Sequence, residues 1–412
     1  MIRQKMVSEN ASGGIQRRDF LKVTVAASGG LLIGFHFFGV SQLASAQASS
    51  ASSFMPNAFV RIGTDENITV IVNHSEMGQG VYTSLPMLLA DELDADWSKI
   101  GYEPAPVDPK YNHPVFGVQM TGGSSSVYSG LQQFRQAGAA ARALLIAAAA
   151  QQWNVDASAC RTESGAVFNG TRRLSYGQLV GAAAKLTPPA NVQLKDPKDF
   201  KLIGKPLKRL DTSVKINGSA EFGIDVKLPG MLTAVIARPP IFGASVKNFD
   251  DTRARSMPGV RKIVAIPAGV AVIADTFWQA KVARDALRVE WDEGKMANFN
   301  TSTMMQDFRE RAKTPGPGVR KDGDADGAFA SAAKKIDAVY EVPYLSHLMM
   351  EPLNCVVDLR ADSCEVWTGS QFQTVDRANA ARIAGLPTEK VQLHTTFLGG
   401  GFGRRANPQS DF

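Results

Sequence analysis

The chain has 412 residues, of which 44% are hydrophobic and 20% charged, and its net charge is +6. That is the composition of a globular protein long enough for two or three domains. The positive charge forms no basic stripe interleaved with aromatics, which excludes nucleic acid as the expected partner. The cysteines, Cys160, Cys355 and Cys364, form neither a Cys-x-x-Cys pair nor an iron–sulfur ligand run.

The N-terminus comes first. Gln16-Arg17-Arg18-Asp19-Phe20-Leu21-Lys22 places a pair of arginines before an uncharged apolar run, Val23 to Val40, which is softened by Gly29, Gly30, Gly34 and Gly39. Ala44-Ser45-Ala46 follows as a small-residue cleavage pattern. This reads as a twin-arginine signal peptide whose apolar run, about 18 residues, is at the lower limit for a membrane span. Residues 1–53 are therefore assigned to signal and flexible linker. The twin-arginine route moves folded proteins, so the expectation is a cofactor-loaded protein exported to the periplasm, and membrane-associated if the signal is retained.

Beyond the linker, residues 57–72 alternate as strands do, and Met77-Gly78-Gln79-Gly80 opens a helix over 81–93. Thr121-Gly122-Gly123-Ser124-Ser125-Ser126 leads into an alanine-rich helix over 129–152, with a break or kink expected near Gly138. A hairpin over 160–174 and a short helix from Ser175 follow. Charges and prolines concentrate at 195–206 and mark a boundary. The stretch 214–291 then reads as a compact α/β unit. Pro315-Gly316-Pro317-Gly318 is a linker. Strands are expected over 335–342, 355–359 and 391–396, and a helix over 374–384. Gly399-Gly400-Gly401-Phe402-Gly403-Arg404-Arg405 stands close to Phe412, and a packed glycine loop is not expected at a loose end, so the chain reads as part of a longer protein.

The chemistry lies in the small-residue loops. Each offers bare backbone N–H groups that can approach a phosphate or a flat polar ligand closely. The first adds the Gln79 amide, the second adds hydroxyls, and the third adds Phe402 with two arginines for anionic groups. The same loops are also compatible with an exported protein that holds some other nucleotide. Asp322-x-Asp324-x-Asp326-Gly327 imitates a calcium loop but has Ala333 where the bidentate acid belongs, so it reads as a helix start. His347 with Glu351, and His74 with Glu76, read as buried structural contacts before metal pairs. A disulfide among the cysteines is left open.

Read together, "MGQGVYTSLPMLLADEL", "TGGSSSVYSG", "GKPLKRLDTSVKINGSAEFGIDVKLPGML", "LSHLMMEPLNC", "WTGSQFQ" and "LGGGFGRR" resemble the large subunit of the xanthine oxidase family of molybdenum hydroxylases. The branch is that of isoquinoline 1-oxidoreductase beta subunits and aldehyde dehydrogenase molybdopterin-binding subunits. The resemblance implies an α+β fold. Residues 54–200 and 335–412 would be molybdopterin-binding segments, the latter incomplete, flanking an α/β hammerhead domain over 201–297 and a linker over 298–334.

The resemblance also implies a molybdenum–molybdopterin cytosine dinucleotide held by its own dithiolene, with no direct protein ligand to the metal. Gln371 matches the amide that faces the apical molybdenum oxygen. Gly78, Gln79 and Gly80 match the pterin-contacting segment, Gly123 and Ser124 the small residues behind the metal, and Gly400, Gly401, Phe402, Gly403 and Arg404 the loop beside it. The implied activity is oxidation of aldehydes or N-heteroaromatic carbons with water as the oxygen source. A small iron–sulfur subunit would take the electrons, with a cytochrome c as a further acceptor. The family's general-base glutamate belongs to a region absent from this chain, and Glu351 is not its equivalent. The alternative is a catalytically incomplete fragment that serves only as a cofactor- or partner-binding module.

Overall fold

The computed structural model describes residues 53–189 and 191–410. The expected signal peptide, with Arg17 and Arg18, lies outside the described residues. No helix among them is long and apolar enough to cross a membrane.

The chain forms two compact units, one comprising residues up to 226 together with 347–410, the other residues 227–346. The first unit begins with β1 (Ser53–Asn57), β2 (Val60–Gly63) and β3 (Ile68–Val72), paired antiparallel in order. Helix α1 (Val81–Leu93) then crosses to β4 (Ile100–Pro104), which pairs parallel to β3. Val60, Ile62, Ile68 and Val70 point inward at period two, as alternation dictates. Helix α1 is buried on nearly every side, so it is a central helix.

Helix α2 (Ser126–Trp153) runs without interruption through Gly138, where the sequence predicts a break or kink. Gly138 is instead a packing residue. A Cβ there would lie 2.3 Å from the Leu89 carbonyl oxygen, so the two helix backbones touch at this point. Phe134, Ala137, Ala141, Leu144, Leu145 and Ala148 continue the same buried stripe. The expected hairpin is a three-stranded meander, β5 (Arg161–Glu163), β6 (Ala166–Asn169) and β7 (Arg172–Ser175). It ends in a capping box, Ser175 with Gln178, that starts α3 (Tyr176–Ala183). The short helix α4 (Thr212–Ile216) also belongs to this unit. The division therefore falls at 226/227, beyond the composition change near 201, because residues 195–215 are bonded to α1 and the loop before it.

The second unit holds β8 (Thr233–Ala237), β9 (Ser245–Asp250), α5 (Thr252–Arg255), β10 (Val260–Ile266), β11 (Gly269–Ala274), α6 (Phe277–Asp285) and β12 (Arg288–Asp292). Strands β10-β11-β8 form one antiparallel sheet, and β12 pairs with β9, a strand the polar sequence Ser-Val-Lys-Asn-Phe-Asp does not reveal. Ala254, Val272 and Ala283 are its small core. Helices α7 (Thr301–Arg311) and α8 (Ala325–Ser331) follow, and Asp324 accepts from the Gly327 amide at the start of α8. The strand expected over 335–342 does not form. Val339, Tyr340 and Val342 lie in a stretch that alternates as a strand would, but no partner strand supplies a ladder among the described residues and they stay exposed.

The chain then returns to the first unit through β13 (Cys355–Leu359), β14 (Cys364–Thr368), α9 (Gln373–Ala384) and β15 (Val391–Thr395). Strands β13 and β14 are antiparallel, and β15 is parallel to β14. No disulfide forms among the described residues. Cys355 faces Thr368 and Cys364 faces Leu359, so the two thiols sit at opposite ends of the hairpin. That separation is roughly 13 Å along the strands, beyond the reach of a disulfide of about 7 Å between Cα atoms.

Candidate functional site

The first unit contains one arrangement twice. In each case an antiparallel hairpin is followed by a helix and a strand parallel to the hairpin's second strand: β2-β3-α1-β4, and β13-β14-α9-β15. In each, a glutamine stands two residues before the helix, Gln79 before Val81 and Gln371 before Gln373. A small-residue loop follows the parallel strand, 121–126 after β4 and 399–403 after β15. Ligands of α/β proteins bind at the carboxyl ends of parallel strands, where all four connections lie.

Hydrogen bonds tie the four connections together. The Ser75 amide donates to Thr121 Oγ1 at 2.8 Å, and Ser75 Oγ to the Ser370 carbonyl at 2.6 Å. The Thr121 amide donates to the Gln371 carbonyl at 2.9 Å. Leu398 N reaches the Glu76 carbonyl at 3.1 Å. Gln373 Nε2 donates to Ser75 Oγ at 2.8 Å.

The two glutamines behave differently. Gln371 is buried; its Nε2 donates to the Thr121 carbonyl at 2.9 Å, and its Oε1 accepts from the Gly403 amide at 3.1 Å. It thus bridges the two small-residue loops and keeps one N–H of its amide for a further acceptor. Gln79 is exposed and closes its own turn, accepting from Met77 N at 2.7 Å and donating to the Ser75 carbonyl at 2.8 Å.

Around them the backbone is bare. Gly78, Gly80, Gly123 and Gly403 all have left-handed φ, and nothing lies within 4 Å of a Cβ built on Gly78 or Gly403. Gly401 is the crowded member: a Cβ there would lie 2.5 Å from Gln371 Oε1 and 2.7 Å from Met77 Sδ. Ser124 and Phe402 also adopt positive φ and are exposed, as is Gly123, while Gly400 and Arg404 are half-buried.

Two carboxylate–guanidinium pairs fasten the glycine loops. Glu351 Oε2 accepts from Gly399 N at 2.9 Å and from Arg405 Nη2 at 2.7 Å. Arg405 is fully buried, and it also donates to the carbonyls of Gly400 (2.8 Å), Gly369 (3.2 Å) and Glu351 (3.0 Å). It is not a free anion-binding group, contrary to the sequence expectation for the arginine pair, because the bonds named here commit it to the Glu351 carboxylate and to three backbone carbonyls. Glu351 pairs with Arg405, not with His347, which is exposed. Burial lowers the pKa of Arg405, and Glu351 opposes that shift. On the other side, Glu76 is fully buried and accepts from Arg209 Nη2 at 2.9 Å.

The second loop is set by histidines. His113 Nδ1 accepts from Val115 N at 3.1 Å, which leaves Nε2 to donate to Ser125 Oγ at 2.8 Å. Ser125 Oγ in turn donates to the Gly122 carbonyl at 2.7 Å. His74 lies edge-on to His113, and its Nδ1 is 3.3 Å from Ser126 Oγ. Burial, helped by His113, lowers His74 to about 4, so it is neutral at pH 7. Asp376, in the first turn of α9, accepts from the hydroxyls of Ser370 and Ser410, yet burial outweighs those bonds and raises it to about 6.

Sequence reasoning locates the loops and both glutamines. It misses His113, Arg209, Asp211 and Asp376, and it pairs Glu351 with His347 where the fold pairs it with Arg405. Arg209 and Asp211 stand inside one of the motifs that carry the family resemblance, but nothing in a motif says which charge meets which.

Models of molybdopterin cofactor-binding domains match residues 24–223 and 310–410. The chain is 31% identical to the beta subunit of isoquinoline 1-oxidoreductase from Brevundimonas diminuta, covering 87% of this chain and 52% of that protein. It is 33% identical to the membrane-bound aldehyde dehydrogenase (pyrroloquinoline-quinone) of Gluconacetobacter polyoxogenes, covering 95% and 52%. It is 27% identical to a nicotinate dehydrogenase subunit from Pseudomonas putida, covering 84% and 30%. The chain thus spans about half the length, or less, of these curated relatives.

Proposed function

The chain belongs to the xanthine oxidase family of molybdopterin-binding large subunits, and from that membership we propose that it supplies part of the active site of a molybdenum hydroxylase. The proposed substrates are aldehydes or N-heteroaromatic carbons, the groups for which the relatives are named. The observation that carries the reading is the Gln371 bridge, which draws the loops of both repeated modules to one place.

The donor set fits the cofactor. Left-handed glycines with open faces, Gly78 and Gly403, let a flat pterin and its phosphates approach the backbone. When bound, the molybdenum cofactor supplies the two-electron oxidation, with water as the source of oxygen. The chain's own groups position and hydrogen-bond. Gln371 would hold the cofactor at the metal end through its remaining N–H. Gln79, with Gly78 and Gly80 beside it, would hold the pterin from the outer lip. Gly123, Ser124, Gly400, Gly401, Phe402, Gly403 and Arg404 would complete the cradle. His74, held neutral, adds no charge beside the loop.

In the same proposal the cofactor is the cytosine dinucleotide, residues 201–297 are the family's hammerhead domain and residues 298–334 a linker. Electrons pass to a small iron–sulfur subunit and then to a cytochrome c. The loaded complex is exported by way of Arg17 and Arg18 to the periplasm.

Metal and nucleotide analysis of the purified full-length complex tests the reading. It should carry close to one molybdenum per large subunit and release a cytosine nucleotide on acid hydrolysis. A preparation without molybdenum or pterin would refute it and favour a binding module.

A further inference from the structure

Arg209, Asp211 and Lys215 come from a motif that the proposed function leaves without a task, and all three converge on Glu76 or its partner. Glu76 Oε1 accepts from the amides of Gly78 (2.9 Å) and Gly80 (3.1 Å), and Oε2 from that of Tyr82 (3.1 Å). These are amides of the glutamine loop and of the first turn of α1. The N-cap of α1 is Gly80, which has no side chain to offer, and the first turn holds no acidic residue. Glu76 therefore serves as the capping anion from outside the helix.

A carboxylate buried there needs a cation. Arg209 provides it and reaches further. Its Nη2 donates to Glu76 at 2.9 Å and to Asp211 at 2.7 Å, its Nε to Asp211 at 2.9 Å, and its Nη1 to the Gly78 carbonyl at 3.0 Å. One guanidinium thus holds both the carboxylate that orders the loop's amides and a carbonyl of the loop itself. Lys215 Nζ stands 3.4 Å from Glu76 and also pairs with Asp211. Leu210 N donates to Thr83 Oγ1 at 3.0 Å, which docks the same segment on α1. Burial works against ionising Asp211, but Arg209 and Lys215 overcome it and hold its carboxyl at about 2. The charges of the cluster balance, two carboxylates against two cations.

Gly78 and Gly80 have φ of 111° and 91° and can adopt many other conformations. Nothing in their own side chains selects this one. We propose that residues 209–215 form a positioning strap, in which the forked guanidinium of Arg209 fixes the Gly78–Gly80 backbone in the conformation that receives the cofactor. This rests on the proposed function for what the loop receives, but not for what holds the loop.

Charge alone would stabilise the fold, whereas positioning needs the fork. Lysine supplies the charge at one point and cannot span Glu76, Asp211 and the Gly78 carbonyl together. The test is therefore Arg209→Lys beside Arg209→Ala in the full-length protein, followed by amide hydrogen exchange and bound molybdenum. In Arg209→Lys, exchange across 77–84 should rise about tenfold, the scale of losing charge-assisted hydrogen bonds, while exchange in α2 stays as in the parent. Molybdenum content should fall several-fold. Unchanged exchange across 77–84 would overturn the strap. Raised exchange with full molybdenum loading would overturn its positioning role. A parent protein that binds no molybdenum would overturn the cofactor reading instead, with the exchange result still deciding whether the strap holds the loop. Should Arg209→Ala fail to fold, the lysine variant alone gives these answers.

Discussion

The two repeated modules of the first unit use the same parts with opposite degrees of enclosure. In the C-terminal module the clamp is local and sealed. Glu351 and Arg405 come from segments that flank the module, their side chains are 5% and 0% exposed, and Gln371 is buried between two loops. In the N-terminal module the clamp is imported and open. Arg209 arrives from 133 residues beyond Glu76, its side chain is 37% exposed, and Gln79 lies on the surface bonded to its own turn. The sealed half sets the relative position of the loops, and the open half forms a lip fastened by its strap. A site assembled in this way keeps one wall rigid while the other remains accessible.

The largest expected effect separates the clamps. Arg405→Ala leaves the Glu351 carboxylate buried without its cation and should cost about 3–5 kcal/mol of unfolding free energy by denaturant titration. A loss below about 1 kcal/mol would show that the sealed clamp is no stronger than an exposed ion pair.

The next separates the glutamines. If the proposed activity is right, Gln371→Ala in the full-length enzyme should lower turnover roughly 10–1000-fold, as for loss of one positioned hydrogen-bonding group. Gln79→Ala should do less, because that amide is spent on its own turn. Equal losses in the two variants would erase the distinction between wall and lip.

The smallest effect is a dependence on pH. Asp376, raised to about 6 in the fold, favours the folded state when protonated. Its contribution is complete below about 4 and is lost as pH rises to about 6. His74, lowered to about 4, favours the folded state when neutral. Its contribution is complete above about 6.5 and is lost as pH falls toward 4. The two slopes oppose each other between roughly pH 4 and 6, over roughly 3 kcal/mol each. Asp376→Asn should therefore expose a protein that loses stability on acidification, and His74→Phe one that loses it on alkalinisation. Parallel melting curves for both variants and the parent would show that these groups do not titrate as their burial implies.

Much of the local structure is legible in the sequence. The helix over 81–93 is readable at its observed bounds, because apolar periodicity starts at a glycine turn and stops where the helix ends. Ser175 marks the start of a short helix, and Asp324 does the same further on. The small-residue loops are recognisable because left-handed backbone favours glycine. Motif order is enough to place the chain in its family.

The tertiary structure decided the partnerships. Gly138 reads as a helix breaker in isolation and becomes a contact only when the Leu89 carbonyl lies against it. Residues 335–342 carry a strand's alternation, but a ladder needs a second strand, and alternation cannot supply one. Cys355 and Cys364 are close in the chain, yet the hairpin register parts them. Glu76 finds Arg209, Glu351 finds Arg405, and Gln371 finds Thr121 and Gly403 across 133, 54, 250 and 32 residues. Propensity and periodicity act over one or two turns of chain, so sequence determined the elements and their loops. Which charge neutralises which is settled only when burial removes water as the alternative partner.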